Sequence, residues 1–194
     1  MRMFVAVVPP AEALDNLARF LEPLHEALAS QDSVRWTHPD QWHLTLAFMA
    51  SVPDRHVEDL QVRLERAARR RAPLRLQLVG GGAFPNSGRA RVCWVGTPAD
   101  SAADLSRLAA GARAAANKSG AGPVGARFRA HVTIARVRSP IDLTSRLKVL
   151  DPYTGPAWTA DEIALIRSHL GEGPGRRPRY ETVARFPLGS RAAR

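Results

Sequence analysis

A chain of 194 residues with 45% hydrophobic and 24% charged residues has the balance of an ordinary folded domain. No apolar run approaches the roughly 20 residues of a membrane helix, and the single cysteine, Cys93, rules out an internal disulfide or a multi-cysteine zinc site. The formal charge of +10 suits a polyanionic partner, yet 26 of the 28 basic residues are arginine, a skew that GC-rich codon usage produces by itself.

Hydrophobic periodicity orders the elements as follows. Residues 2–8 alternate as a first strand and lack the cleavage pattern of a signal peptide, so a cytoplasmic protein is expected. Pro9–Pro10 opens a helix to about 29, with Leu14, Leu17, Leu21, Leu24 and Leu28 on one stripe. A short extended piece at Val34–Trp36 leads through a turn into a strand at 43–49. Pro53-Asp54 starts a helix to about Arg71, and a strand near 74–79 is expected to end in Gly80-Gly81-Gly82. A strand at 91–96, an alanine-rich helix at about 101–118 and a glycine-rich loop at Ser119–Gly125 come next. A strand at 130–137, a short helix near 142–149 and strands near 161–167 and 179–186 complete the pattern. Residues 1–188 read as one bilobal domain and 189–194 as a flexible basic tail.

Within this order His-Leu-Thr-Leu at 43–46 returns 88 positions later as His-Val-Thr-Ile at 131–134. The repeat extends beyond the tetrapeptides. Phe4 precedes His43 by 39 positions and Val92 precedes His131 by the same 39, and both halves run strand, helix, motif strand, helix. Such a duplication packs as two pseudo-symmetric lobes, each placing one histidine on a facing sheet.

Residues two apart share a face of a strand. His43 therefore points with Thr45 and His131 with Thr133, while Leu44, Leu46, Val132 and Ile134 face the other layer. One histidine in a strand is ordinarily structural, and His25, His38, His56 and His169 are read that way. Two imidazole–hydroxyl pairs in matched contexts are different. Packing explains the apolar partners but not the polar ones, which would be costly in a core without hydrogen bonds. A shared cleft resolves this. Imidazole gives and takes protons near neutrality, and displacement at phosphorus needs a base behind the attacking oxygen and an acid behind the leaving one. The Thr45 and Thr133 hydroxyls can meet charge on the non-bridging oxygens. The scheme calls for no metal and no cofactor, since neither motif carries an adjacent acidic ligand. The glycine clusters lack the Gly-Lys-Ser/Thr of a P-loop, and no Gly-x-Ser-x-Gly element is present.

The paired motif resembles the two-histidine (2H) phosphoesterase superfamily. The similarity runs on through Met1–Val7, Arg35-Trp36, Trp42–Phe48, Gly82–Pro85, Phe128–Arg136 and Tyr180–Leu188, which resemble the branch of bacterial and archaeal RNA 2′,3′-cyclic phosphodiesterases. Met49-Ala50-Ser51 and Ala130 depart from that branch in turn positions. The resemblance implies an α+β fold, two antiparallel sheets facing a central groove with helices outside. It also implies hydrolysis of a 2′,3′-cyclic phosphate at an RNA end to a 2′-phosphate, with His43 as proton donor and His131 as acceptor. Arg136 and Phe48 are candidate substrate contacts, although simple alternation puts both across from the motif face. No membrane and no obligatory protein partner is implied, and a monomer is expected. Alternatives are a 2H enzyme for 2′-5′ oligonucleotides or ADP-ribose cyclic phosphate, and a non-catalytic RNA-binding module.

Overall fold

The apolar alternation of the sequence becomes a sheet with helices on one face. In the computed structural model, which describes residues 1–125 and 128–189, β1 (Met3–Val7) is followed by α1 (Ala11–Ala27), β2 (Val34–Trp36) and β3 (Leu44–Met49). Then come α2 (Val57–Arg69), β4 (Leu74–Leu76), β5 (Val79–Phe84), β6 (Ala90–Gly96) and α3 (Ala102–Lys118). The last elements are β7 (Pro123–Val124), β8 (Val132–Ile141), α4 (Thr144–Leu147), β9 (Trp158–Ala160), β10 (Glu162–His169) and β11 (Arg179–Pro187). The tail expected at 189–194 lies, from residue 190 onward, outside the described residues.

The strands pair in the order β11-β10-β1-β3-β8-β6-β5, with β4 and β9 forming a separate two-stranded sheet. All the pairings are antiparallel. The two expected sheets are therefore β11-β10-β1-β3 and β8-β6-β5, joined edge to edge. Their junction is one residue pair, Leu44 opposite Val132. These two residues are equivalent in the 88-residue repeat, so the junction sits on the pseudo-twofold axis. On either side of it the motif strands run apart, and each finds a second partner. β2 pairs with β8 through Arg35–Arg136, and β7 pairs with β3 through Phe48–Val124. The duplication is thus built into the pairing itself.

Leu17, Leu21, Leu60, Leu64 and Leu105, from the three long helices, are all fully buried in one cluster with Met3, Val5, Leu44 and Val132 from the sheet. Each such leucine contributes about 1.5–3 kcal/mol relative to an exposed position. Opposite faces of β1 divide cleanly: Met3, Val5 and Val7 enter that cluster, whereas Phe4 and Ala6 join a smaller one with Ala164 and Ile166. The smaller cluster underlies the groove.

The triple glycine corrects one expectation. Gly80-Gly81-Gly82 does not close a strand but lies inside β5, and the strand expected at 74–79 is split into β4 and the start of β5. Gly80 takes a φ of 53° at a register shift against β6, a conformation suited to glycine. A Cβ on Gly81 would lie 2.6 Å from both Leu150 Cδ1 and the Trp94 carbonyl oxygen, and one on Gly82 would lie 2.9 Å from the Trp94 ring. Glycine is required there because neighbours press on the strand, not because the chain turns.

Candidate active site

His43 and His131 immediately precede the two residues of the junction pair, so the antiparallel pairing brings the starts of both motifs to one seam. Each imidazole is held in the same way. His43 Nδ1 is 2.7 Å from the Gln41 carbonyl oxygen, and His131 Nδ1 is 2.7 Å from that of Arg129, both two residues upstream. Since a carbonyl only accepts, Nδ1 carries a proton in both rings. Nε2 is left without a protein partner among the described residues, able to accept a proton when the ring is neutral and to donate one when charged.

Aromatic rings brace the imidazoles, by different residues on the two sides. Phe4 stacks on His43 with centroids 4.5 Å apart, and Tyr180 meets His43 edge-on at 5.6 Å. On the other side Phe84 meets His131 edge-on at 5.0 Å, and the Arg129 guanidinium lies over the rings of Phe84 and Trp94 at 5.1 and 5.2 Å.

Arg136 and Phe48 reach the groove because of two bulges. Between β1 and β3 the register runs Val5–Ala47 then Ala6–Thr45, leaving Leu46 as an extra residue. Between β6 and β8 it runs Cys93–Ala135 then Trp94–Thr133, leaving Ile134 extra. Leu46 and Ile134 occupy equivalent positions of the repeat. Each bulge buries two successive residues, Leu46-Ala47 and Ile134-Ala135, and so switches the alternation. Phe48 then shares a face with Thr45, and Arg136 with Thr133. Both line a cavity of about 270 Å³ together with His43, Thr45 and Thr133. Arg2, Phe4, Gln41, Ser168 and Tyr180 complete much of its wall, and the Arg2 guanidinium lies 4.5 Å above the Phe48 ring. His131 is not part of that wall. It lies outside that lining and is less buried than His43.

Burial, then the nearby His131 and Arg136 charges, hold the His43 imidazole down to about 4, against the opposing pull of the Gln41 carbonyl. His131 is lowered too, by burial first and then by Arg136 and Arg129, with the Arg129 carbonyl opposing. Both rings are therefore held toward their neutral form beside the Arg136 guanidinium. Among the described residues no group of three His, Cys, Asp or Glu side chains converges to hold a metal, and no helix is long and apolar enough to cross a membrane.

The sequence pattern of the LigT-like phosphoesterase family matches this chain twice, at residues 7–94 and at 95–175, with starts separated by the same 88 positions as the two histidines. The chain belongs to the LigT-like phosphoesterase family. Within it, an RNA 2′,3′-cyclic phosphodiesterase of Thermus thermophilus is 31% identical over 97% of this chain and 90% of its own length. A protein of the same name from Geobacillus stearothermophilus is 30% identical over 95% of this chain, which spans 56% of the Geobacillus sequence. A crystal structure of a Thermus thermophilus protein superposes with a TM-score of 0.77 at 30% identity, covering 98% of this chain and all of the other. Escherichia coli LigT complexed with 3′-AMP shares the fold, with a TM-score of 0.74 at 23% identity over 96% of this chain and 97% of that one. A duplicated α+β phosphoesterase is thus what the sequence encodes.

Several groove residues of this phosphoesterase are invisible in its motifs. Phe4 and Arg2 reach the site because β1 lies beside β3, and Ser168 and Tyr180 because β10 and β11 pair beyond β1. The Gln41 and Arg129 carbonyls had a usable signal, being the same two positions upstream of each histidine.

Proposed function

We propose that this phosphoesterase hydrolyses 2′,3′-cyclic phosphate ends of RNA to 2′-phosphates by two-histidine acid–base catalysis without a metal. The observation that carries the proposal is the matched anchoring of His43 and His131, Nδ1 on a carbonyl and Nε2 free, on either side of one junction pair. The relatives named RNA 2′,3′-cyclic phosphodiesterase support the substrate class. Residues 1–188 act as one unit in this reading, since His43 and Tyr180 wall the same cavity.

In the proposed step, water gives a proton to His131 Nε2 as its oxygen bonds to phosphorus. The P–O3′ bond breaks, and His43 delivers a proton to O3′. The positions favour this assignment, because His131 is the less buried ring and His43 lines the cavity that would hold the nucleoside. Burial opposes the proton on His43. A bound phosphodiester brings a negative charge that favours imidazolium, so the acid is loaded by its own substrate. Arg136 and the two threonine hydroxyls meet the charge on the non-bridging oxygens. Phe48, capped by Arg2, offers a face to the base.

Incubation with an oligonucleotide ending in a cyclic phosphate, followed by product analysis, tests the reading. A 2′-phosphate product formed equally well in EDTA is expected. A 3′-phosphate product, or loss of turnover in EDTA, would overturn the bond assignment or the metal independence. A second reading, cleavage of a linear 2′-5′ diester, is favoured by the Phe84–Trp94–Arg129 stack beside His131, which could receive a second base. Faster turnover of a 2′-5′ dinucleotide than of the cyclic end would prefer it.

A further inference from the structure

The cavity beside His43 does not end at Tyr180. A second cavity of about 400 Å³ adjoins it, and the two share Gln41, Pro178 and Tyr180 as a common wall. Its far side is built by the β10–β11 connection, including Gly173, Pro174 and Arg177, and by the turn carrying His38 and Asp40. The wall is tied to the site. Gln41, whose carbonyl anchors His43, also donates from Nε2 to the Pro178 carbonyl oxygen at 2.5 Å. The connection is braced internally, with the Gly173 N–H on the Arg177 carbonyl oxygen at 2.8 Å. A Cβ on Gly173 would lie 2.9 Å from that oxygen.

The charges of this second cavity are unequal in their commitments. Asp40 is bound by His38 at 2.8 Å, and Glu172 nearby is bound by Arg179 at 2.7 Å and by His169 at 3.4 Å. Arg177 forms no ion pair among the described residues. Its Nε donates to the Pro174 carbonyl oxygen at 3.1 Å, which orients the guanidinium and leaves its two terminal nitrogens without partners there. Exposed Arg176 flanks it. Glu172 is therefore ion-paired with Arg179 and Asp40 is hydrogen-bonded by His38, while the oriented Arg177 cation remains, beside the apolar surfaces of Pro174, Pro178 and Tyr180. That combination fits a phosphodiester with its sugar, not a second carboxylate or a metal.

We propose that this second cavity holds the RNA strand upstream of the terminal nucleotide, with Arg177 on the first phosphodiester 5′ of the cyclic end. The inference rests on the cyclic-phosphodiesterase reading and adds to it a substrate class, oligonucleotide ends over mononucleotides. A nucleoside in the cavity beside His43 has its 2′ and 3′ oxygens at the imidazoles. Its 5′ oxygen must leave elsewhere, and the adjoining cavity shares the Gln41, Pro178 and Tyr180 wall with the first.

Steady-state kinetics on a mononucleoside 2′,3′-cyclic phosphate and on a trinucleotide with the same terminal group test it. The wild-type protein is expected to favour the trinucleotide by about tenfold in kcat/KM, the scale of one charge-assisted phosphate contact. Arg177→Gln should remove that advantage through KM, with less than a threefold change on the mononucleotide, and Arg177→Lys should keep most of it. The salt dependence of log KM for the trinucleotide should become shallower by about 0.7 in Arg177→Gln, the increment for one contact to a single strand. Equal losses on both substrates, an unchanged salt slope, or no length preference in the wild-type protein would overturn the inference while leaving the reaction intact. A wild-type protein that turns over neither substrate would overturn the reaction and the inference together.

Discussion

The half of the groove around His43 and the half around His131 share a backbone and differ in what they place on it. Both hold Nδ1 on the carbonyl two residues upstream, both follow with a threonine, and both bulge one residue after the threonine. The position three after each threonine then splits: Phe48 in one half, Arg136 in the other. The bracing splits as well, with Phe4 and Tyr180 enclosing His43, and Phe84 with the Arg129–Trp94 stack leaving His131 nearer solvent. Duplication supplies two proton carriers of equal geometry. In the proposed reaction, unequal enclosure and the unequal residues placed beside each ring divide them into acid and base.

The largest expected effects break the likeness at its centre. His43→Ala and His131→Ala should each reduce kcat on a cyclic-phosphate-ended oligonucleotide by about 10³-fold, within the range for removing a general acid or base. Circular dichroism on both variants checks that the fold survives, and full turnover by either variant would end the two-histidine scheme. The difference between the halves comes next. Arg136→Gln should lower kcat/KM by about 10²-fold through lost charge at the phosphate, whereas Phe48→Leu should cost nearer tenfold and mainly in KM. Equal effects of the two would mean the lobes are not specialised.

The pH profile sharpens the same point. The kcat/KM profile reports the free protein, in which His43 titrates at about 4 and His131 below 6.5. One ring protonated and one neutral is thus most populated on the acid side of 6.5. The kcat optimum should lie higher, because bound phosphate favours the imidazolium. Arg136→Gln removes a positive charge that lowers both rings and should move both limbs of kcat/KM to higher pH. A kcat/KM optimum above 7 in the wild-type protein would contradict the buried, arginine-flanked setting.

Stability carries the sign of the same shift. Unfolded, His43 takes its proton near 6.5; folded, near 4. Between those values the unfolded chain binds more protons, so stability present above 6.5 is lost as pH falls through about 4, by at most about 3 kcal/mol. Urea melts at pH 7 and pH 4 should show a smaller difference in His43→Gln than in wild type. The smallest change concerns packing: Gly82→Ala, which drives a Cβ against the Trp94 ring, should cost about 1–3 kcal/mol. It should affect the His131 side more than the His43 side.

Much of this molecule is legible along the chain because its signals are short-range. The stripe Leu17, Leu21 and Leu24 announces α1, and the recurrence of His-x-Thr after 88 positions announces both motif strands and their shared face. The splitting of 74–84 into two strands was not legible, because glycine ordinarily punctuates a chain. Here it permits the approach of Trp94 and Leu150, neighbours that belong to other elements.

From the residue order alone came most of the elements, the duplication and the two imidazole–hydroxyl pairs, since each depends on periodicity or spacing along the chain. Only the tertiary structure decided that Phe48 and Arg136 face the groove, because a bulge is a property of two paired strands and not of either one. Only it brought Phe4 and Tyr180 to His43 and Arg177 to the adjoining cavity, because sheet order joins segments from both ends of the chain. The chemistry of the two imidazole–hydroxyl pairs is local, whereas their unequal surroundings are set by pairing across the sheet.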